Sequence, residues 1–294
     1  MTNIIESMDF KIVKCLGQGT FGTVYLCDNS QYKQCCVKAI EIREKNELRH
    51  YNHIALIRRE VHVLKHLKHP RIMKMLEYFH SKKFWFIVTE YIPNGTLLQL
   101  IDEYNHQRKR FSQEEILKYL CDILLALEYL KMKCVVHGDL KSENILIGSD
   151  GRIKISDFGV SKCVEYSIED DALCHSTPLY TAPEALFDKT KYTFASDVWS
   201  LGCIFYELCM LHHPFHRIYD IDELYQLSSR SIYQTIDYER KSYTRDLMTL
   251  SDMMLEPNVT KRAKIDQIIA QPIVVMRYYE NYFDMGDLSR NRCS

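Results

Sequence analysis

HGDLKSENILI (137–147), continued by GSDGRIKISDFG (148–159), is the stretch on which the reading of this chain turns. Asp139, Lys141 and Asn144 set an acid, a cation and a carboxamide at spacings of two and three, with Gly138 in front of the acid, and the chain then runs straight into an apolar segment. ILI (145–147) and RIKI (152–155) read as two short strands joined by the turn GSDG, since each apolar run is bounded by Gly, Ser and Asp. The second strand ends at SDFG (156–159) and delivers Asp157 at its tip.

Working outward toward the N-terminus, residues 9–40 read as three short strands rich in Val, Tyr, Phe and Cys, broken by GQGTFG (17–22) and by the polar turn DNSQYKQ (28–34). A helix follows from about 53 to 68, where Ile57, Leu64 and Leu67 fall on one stripe together with Glu60. A carboxylate on a buried face needs a partner. Residues 72–79 and 84–91 read as two more strands. After YIPNG (91–95) the character changes: Pro93, Asn94 and Gly95 mark a hinge, and helices take over. Ser112 followed by Glu115 is a capping-box signature, and Ile116, Leu120, Ile123, Leu127 and Leu130 mark one face of the long helix it starts. The division is therefore a β-rich segment 1–92, a mainly helical segment 93–280, and a tail 281–294. The terminal RYYENYFDMGDLSRNRCS (277–294) carries no motif that decides between packing as a last helix and fraying.

The chain of 294 residues suits two packed lobes or one large domain. Its 38 basic and 39 acidic residues cancel to a net charge of -1, so no overall field draws it to nucleic acid or to an anionic membrane. The eleven cysteines are odd in number and form no Cys-x-x-Cys pair, which favours reduced thiols in the cytoplasm or nucleus. MTNIIESMDF has no apolar signal core, and VWSLGCIFYELCML (198–211) contains Glu207 and falls short of the roughly 18 residues a membrane span needs. A soluble intracellular protein without membrane insertion is expected.

GQGTFGTVYL (17–26) sets Gly17, Gly19 and Gly22 in a spacing shared by dinucleotide folds and by hairpins that cover nucleotide phosphates, and a plain hairpin turn also carries it. In a dinucleotide fold the third glycine opens a helix, whereas TVYLC continues here as a strand, the form of the phosphate-covering hairpin. CCVKAI (35–40) places Lys38 among apolar neighbours in the third strand, where an ammonium is costly. Glu60, stranded in its own apolar stripe, is its obvious partner, so two costly charges explain each other.

Order then decides. G-x-G-x-x-G-x-V, V-K, a helical Glu, H-x-D-L-K-x-x-N, D-F-G, A-P-E (182–184) and D-V-W-S-L-G (197–202) follow one another across nearly two hundred residues. From about residue 9 to 275 the chain resembles a eukaryotic protein kinase of the serine/threonine type. Within that family KHPRIMKMLEYF, FIVTEYIPNGTLLQLI and FSQEEILKYLCDILLALEYL are most similar to the NIMA-related kinases.

The resemblance implies an α+β fold of two lobes, a β-rich N-lobe with one main helix and a mainly helical C-lobe, with ATP in the cleft between them. Asp139 would orient or accept the proton of the attacking hydroxyl, Lys141 would neutralise charge on the transferring group, and Asn144 and Asp157 would hold Mg²⁺. Lys38, held by Glu60, would orient the phosphates under Gly17, Gly19 and Gly22. Leu16, Val24 and Cys36 would lie above the adenine and Leu146 below it, with Thr89 at the back and the backbone of Glu90 and Ile92 as hydrogen-bonding groups. Met75, Leu64, His137 and Phe158 would form an apolar column between the lobes. Lys141 in D-L-K-S-E-N and Thr177 in S-T-P-L-Y-T-A-P-E match the Ser/Thr-specific pattern, so protein substrates with Ser or Thr acceptors are expected, with Thr177 ordering the catalytic loop.

Three departures stand out: Gly138 replaces the usual arginine, Thr96 an acidic residue common after the hinge in kinases that prefer an upstream arginine, and Ser176 a frequent glycine. None is a phosphate-transfer group, and Gly138 removes a regulatory contact. The alternative is a pseudokinase scaffold, which would have no physical need to keep Lys38, Glu60, Asp139, Lys141, Asn144 and Asp157 together. A nicotinamide oxidoreductase fails on the strand after Gly22. His62, His66 and His69 read as solvated residues of one helical face rather than zinc ligands, and Cys35 and Cys36 as small strand hydrophobes.

Overall fold

A computed structural model describes residues 1–19, 22–42, 47–163, 178–188, 192–216, 218, 220–233, 236 and 243–290; for 47–52, 162–163 and 286–290 it describes the backbone alone. A short helix α1 (Thr2–Ser7) precedes strands β1 (Phe10–Gly19), β2 (Gly22–Asn29) and β3 (Lys33–Glu41), helix α2 (Glu47–His66), and strands β4 (Met75–His80) and β5 (Phe84–Glu90). The five strands form one antiparallel sheet in the order β1-β2-β3-β5-β4.

Strand pleating gives this sheet two different faces. The register sets Lys38 between Val24 and Ile87, and Cys36 between Leu26 and Thr89, so these six side chains share one face. On the other face Cys27, Cys35, Val37, Ala39, Phe86 and Val88 build a separate core with Phe10 and with Ile5 of α1. Burial pushes the Cys27 thiol up to about 12 and the Cys35 thiol up to about 11, so both pack as small apolar groups.

Helix α2 begins six residues before the start expected at 53, because Leu48 and Tyr51 are the only apolar residues of Glu47–Asn52 and set no period. It also ends at His66, which takes His69 off the helix: the His69 ring stacks on Tyr129 at 4.9 Å, and burial, then Arg71 and Lys154, push it down to about 4. The strand expected at 72–79 starts only at Met75. Ile72 bridges to Ile155 instead, and the Met73 N–H donates to the Ile155 carbonyl at 2.9 Å, so this segment is committed to the second lobe.

That lobe contains α3 (Leu97–His106), α4 (Gln113–Met132), β6 (Val135–Val136), β7 (Ile145–Ile147), β8 (Ile153–Ile155), β9 (Lys162–Cys163), α5 (Phe194–Met210), α6 (Ile221–Ser228), α7 (Arg245–Met254), α8 (Ile265–Ile269) and α9 (Pro272–Arg290). Ser112 caps α4 as its sequence requires, accepting from the Glu115 N–H at 3.2 Å while the Glu115 carboxylate takes the Ser112 N–H at 2.8 Å, a motif that contributes about 1 kcal/mol. Helix α5 is buried continuously from Ser196 to Met210, as only a helix at the centre of a lobe can be. The terminal segment packs: α9 lies against α4 with Tyr278, Asn281 and Met285 buried. No helix among the described residues is long and apolar enough to cross a membrane.

Candidate active site

The β7–β8 hairpin fixes the centre of the site. Its outermost pair is Ile145 with Ile155, and the residues just beyond are Asn144 and Ser156. The Asn144 carbonyl accepts both the Ser156 N–H at 2.8 Å and the Ser156 hydroxyl at 2.9 Å, which locks the residue preceding Asp157 to the catalytic loop. Asp157 has φ +60, in the left-handed region that Asp tolerates better than most residues, at a cost of about 1 kcal/mol or more.

Asp139 is tied down from two sides. Lys141 Nζ lies 2.8 Å from its Oδ2, and Asn144 Nδ2 donates to its backbone carbonyl at 2.8 Å and to Oδ2 at 3.1 Å. Because the amide nitrogen of Asn144 is spent on Asp139, its oxygen is the atom left for another partner. His137 supports the same loop: Nδ1 accepts the Asp139 N–H at 3.3 Å and Nε2 donates to the Ser156 carbonyl at 3.1 Å. Its ring meets Phe158 edge-on at 4.9 Å, Leu64 and Phe158 share one core, and Met75 packs against that core.

Gly138 has φ +78, a backbone that disfavours any residue with a Cβ, and its N–H donates to Asp197 Oδ1 at 3.0 Å while the His137 N–H donates to Oδ2 at 2.9 Å. Asp197 is buried in the first turn of α5; burial raises its carboxyl and the two backbone donors pull it back.

Lys38 and Glu60 meet as their patterns require, at 2.7 Å, and Asp157 Oδ1 lies 3.3 Å from the same ammonium. Burial works against the Lys38 charge, but the Glu60 and Asp157 carboxylates outweigh it and hold the ammonium above its ordinary value. Lys38 in turn holds the Asp157 carboxyl below the usual range, while burial raises that of Glu60. Three elements, β3, α2 and the end of β8, thus meet in one ion cluster.

Around it lie the residues expected to contact a nucleotide. A Cβ on Gly17 or Gly19 would meet no protein atom within 4 Å, whereas one on Gly22, at φ +128, would stand 2.3 Å from the Ala39 carbonyl oxygen. Gly22 is therefore needed by the hairpin, and Gly17 and Gly19 leave open room for a ligand. Val24 and Cys36 are half-buried on the face that carries Lys38, Thr89 is buried, and Leu16 is exposed. Burial pushes the Cys36 thiol up to about 12. Ile92 is buried in the linker, and the Asn94 N–H donates to the Ile147 carbonyl while the Ile147 N–H donates to the Gly95 carbonyl, bringing half-buried Leu146 beside the linker. The Glu90 N–H is spent on the Lys74 carbonyl at 3.0 Å, and its carboxylate on Lys154 Nζ at 2.6 Å. Thr177 lies outside the described residues, as does Ser176.

The protein kinase domain profile matches residues 10–274. The chain belongs to the protein kinase family. Serine/threonine-protein kinase Nek5 of Mus musculus is 31% identical over 90% of this chain and 40% of its own length, and Nek5 of Homo sapiens is 32% identical over 90% and 36%. Aurora kinase of Schizosaccharomyces pombe is 34% identical over 90% of this chain and 71% of its own length. The chain thus spans about two fifths of the Nek5 proteins it matches. The similarity to the two Nek5 proteins agrees with the resemblance to NIMA-related kinases, and nothing in these comparisons favours the pseudokinase reading.

Two parts of this kinase domain escaped residue-level reading. Arg262, fully buried at its guanidinium, grips Glu184 of the A-P-E motif through both oxygens at 2.7 and 2.9 Å and stacks 5.1 Å above Trp199. Tyr180 donates to Glu207 Oε1 at 2.6 Å and faces Ser142 of the catalytic loop at 2.9 Å, with Glu207 pushed up to about 8 by burial. Asp197 and Glu207 had a signal: each is an acid inside an apolar helix, the argument that singled out Glu60. Arg262 had none, because nothing in VTKRAK separates it from Lys261 and Lys264.

Proposed function

We propose that this domain is a serine/threonine protein kinase that transfers the γ-phosphoryl group of ATP to Ser or Thr hydroxyls of protein substrates. The observation that carries it is the 2.8 Å contact of Lys141 Nζ with Asp139 Oδ2, beside the Asn144 amide and the Lys38–Glu60–Asp157 cluster. Asp139 is held where it would orient the acceptor hydroxyl and take its proton, and Lys141 where it would offset charge on the transferring group. Lys38 would bind the α- and β-phosphates, since Glu60 keeps its charge and position. Asn144 and Asp157 would hold Mg²⁺, whose chemistry is to neutralise charge on the phosphate oxygens; a carboxylate and an amide oxygen are hard donors that fit that ion, which takes few protein ligands and several from water and phosphate. The reduced cysteines support a cytoplasmic location.

The test is transfer from Mg-ATP to a Ser/Thr peptide library. Lys38→Met and Asp157→Asn are expected to lose about 10²–10³-fold in kcat/KM, as removal of one preorganised electrostatic partner does elsewhere, with the fold retained by circular dichroism. Wild-type transfer in both variants would overturn these roles for Lys38 and Asp157, and no transfer by the wild-type chain would replace this reading with the scaffold one.

A further inference from the structure

Asp122, in the middle of α4, is a fully buried carboxylate on which three separate segments converge. Arg71, from the segment after α2, brings Nε to 3.0 Å from Oδ1, and Arg152, from the β7–β8 turn, brings Nη1 to 3.5 Å. The N–H of Ile153 in β8 lies 3.4 Å from Oδ2. Asn281 of α9 donates its amide to Oδ1 at 3.0 Å and to the Lys118 carbonyl at 3.1 Å, while its own oxygen accepts Arg152 Nη1 at 2.9 Å. Asp284 closes the circuit at 2.6 Å from Arg152 Nη2.

The geometry points to Asn281 as a positioning residue: acting through Asp122, it sets the Lys38–Glu60–Asp157 cluster that would orient ATP. This role rests on the kinase activity proposed above and is carried by the backbone. The Arg71 carbonyl accepts the Ile155 N–H at 2.9 Å, and Ile155 stands two residues before Asp157. Arg71 itself stands five residues past the end of α2, the helix that carries Glu60. Asp122 thus holds the roots of both carboxylates that grip Lys38.

Its hold is conditional. Burying two opposite charges repays their desolvation only when the remaining hydrogen-bonding capacity is filled. Arg71 is buried, its guanidinium faces Asp122 without an aligned hydrogen bond, and Nη2 has no partner among the described residues. Its place therefore depends on where the Asp122 carboxylate points, and Asn281 is the neutral donor that aims it. The kinase profile ends at 274, seven residues before Asn281, so this input comes from beyond the shared domain.

The experiment compares Asn281→Leu, which keeps the volume and removes both amide functions, with Arg277→Ala. Arg277 lies on the same helix and ties it to the same α4 through Glu114 at 2.7 Å, but does not touch Asp122. Asn281→Leu is expected to raise the ATP KM and lower kcat per folded enzyme, together about two- to thirtyfold in kcat/KM for ATP, with the peptide KM unchanged. Arg277→Ala is expected to lower the melting temperature and leave all three constants at wild-type values. Wild-type kinetics in Asn281→Leu, or the same kinetic defect in Arg277→Ala, would overturn the proposal. Arg152→Met removes the other leg of the circuit and serves if Asn281→Leu does not fold. Mg-ATP affinity measured by calorimetry separates the two claims: a wild-type chain without transfer activity refutes the proposed function, while unchanged nucleotide affinity in Asn281→Leu and Arg152→Met refutes the positioning role.

Discussion

Gly138 and Asp157 both sit in the left-handed region of backbone space, at φ +78 and +60, on either side of the catalytic loop. For Gly138 this adds a physical role to the loss of a side chain, because the peptide that hands its N–H to Asp197 turns in a direction that glycine adopts without strain. A Cβ there would also press on the Val160 carbonyl oxygen at 3.4 Å. Gly138→Ala is expected to cost about 1–2 kcal/mol of stability, measured by denaturant unfolding, with catalysis per folded molecule nearly unchanged. A neutral substitution would mean that the loop rearranges freely, and the Asp197 bonds would then not be what holds it. The missing guanidinium at 138 was plain from sequence; the sign of φ was not, since it is set by Asp197 fifty-nine residues away.

At the scale of elements, legibility followed burial and periodicity. Lys38 and Glu60 could be paired from sequence because each broke an apolar pattern, and the hairpin ILI–RIKI because its turn residues are unambiguous. Helix α1 went unseen because six residues hold too little periodicity, although Ile5 is fully buried beneath the sheet. The start of α2 is not legible for a related reason: Glu47–Asn52 holds too few apolar residues to set a period. Thr96 was legible only as the absence of an acid, yet it is the N-cap of α3, accepting the Gln99 N–H at 3.2 Å while Gln99 Oε1 takes the Thr96 N–H at 3.0 Å. Asp caps helices as well as Thr does. Thr96→Asp is therefore expected to keep the melting temperature and to add a preference for arginine upstream of the acceptor, read on a peptide array. An unchanged array would separate position 96 from substrate choice.

For the whole molecule, buried titratable groups make stability depend on pH with a sign that can be worked out. Glu207 keeps its proton in the folded chain up to about 8, against 4.5 for an ordinary glutamate. Between those values the unfolded chain has lost a proton that the native one retains, so its contribution is complete below 4.5 and declines as pH rises, by about 1.4 kcal/mol per unit, until about 8. His213 and His69, held by burial at about 3 and about 4, act in the opposite sense: their contribution is full above 6.5 and is lost as pH falls below it. Glu207→Gln is expected to flatten the decline from pH 6.5 to 8 in urea unfolding while keeping the acceptor for Tyr180; parallel wild-type and variant slopes would show that Glu207 is ionised in the fold.

The bonds by which Met73 and Ile155 tie the segment after α2 to the larger lobe have a consequence in time. Their amide hydrogens point to the carbonyls of Ile155 and Arg71, both at 2.9 Å, and they are released only if that segment parts from the lobe. Protons of this kind leave only when the fold opens as a whole. In deuterium exchange these two are expected to be as slow as those in the middle of α5, so that the last protons to exchange lie at the seam between the lobes as well as at the centre of the larger one.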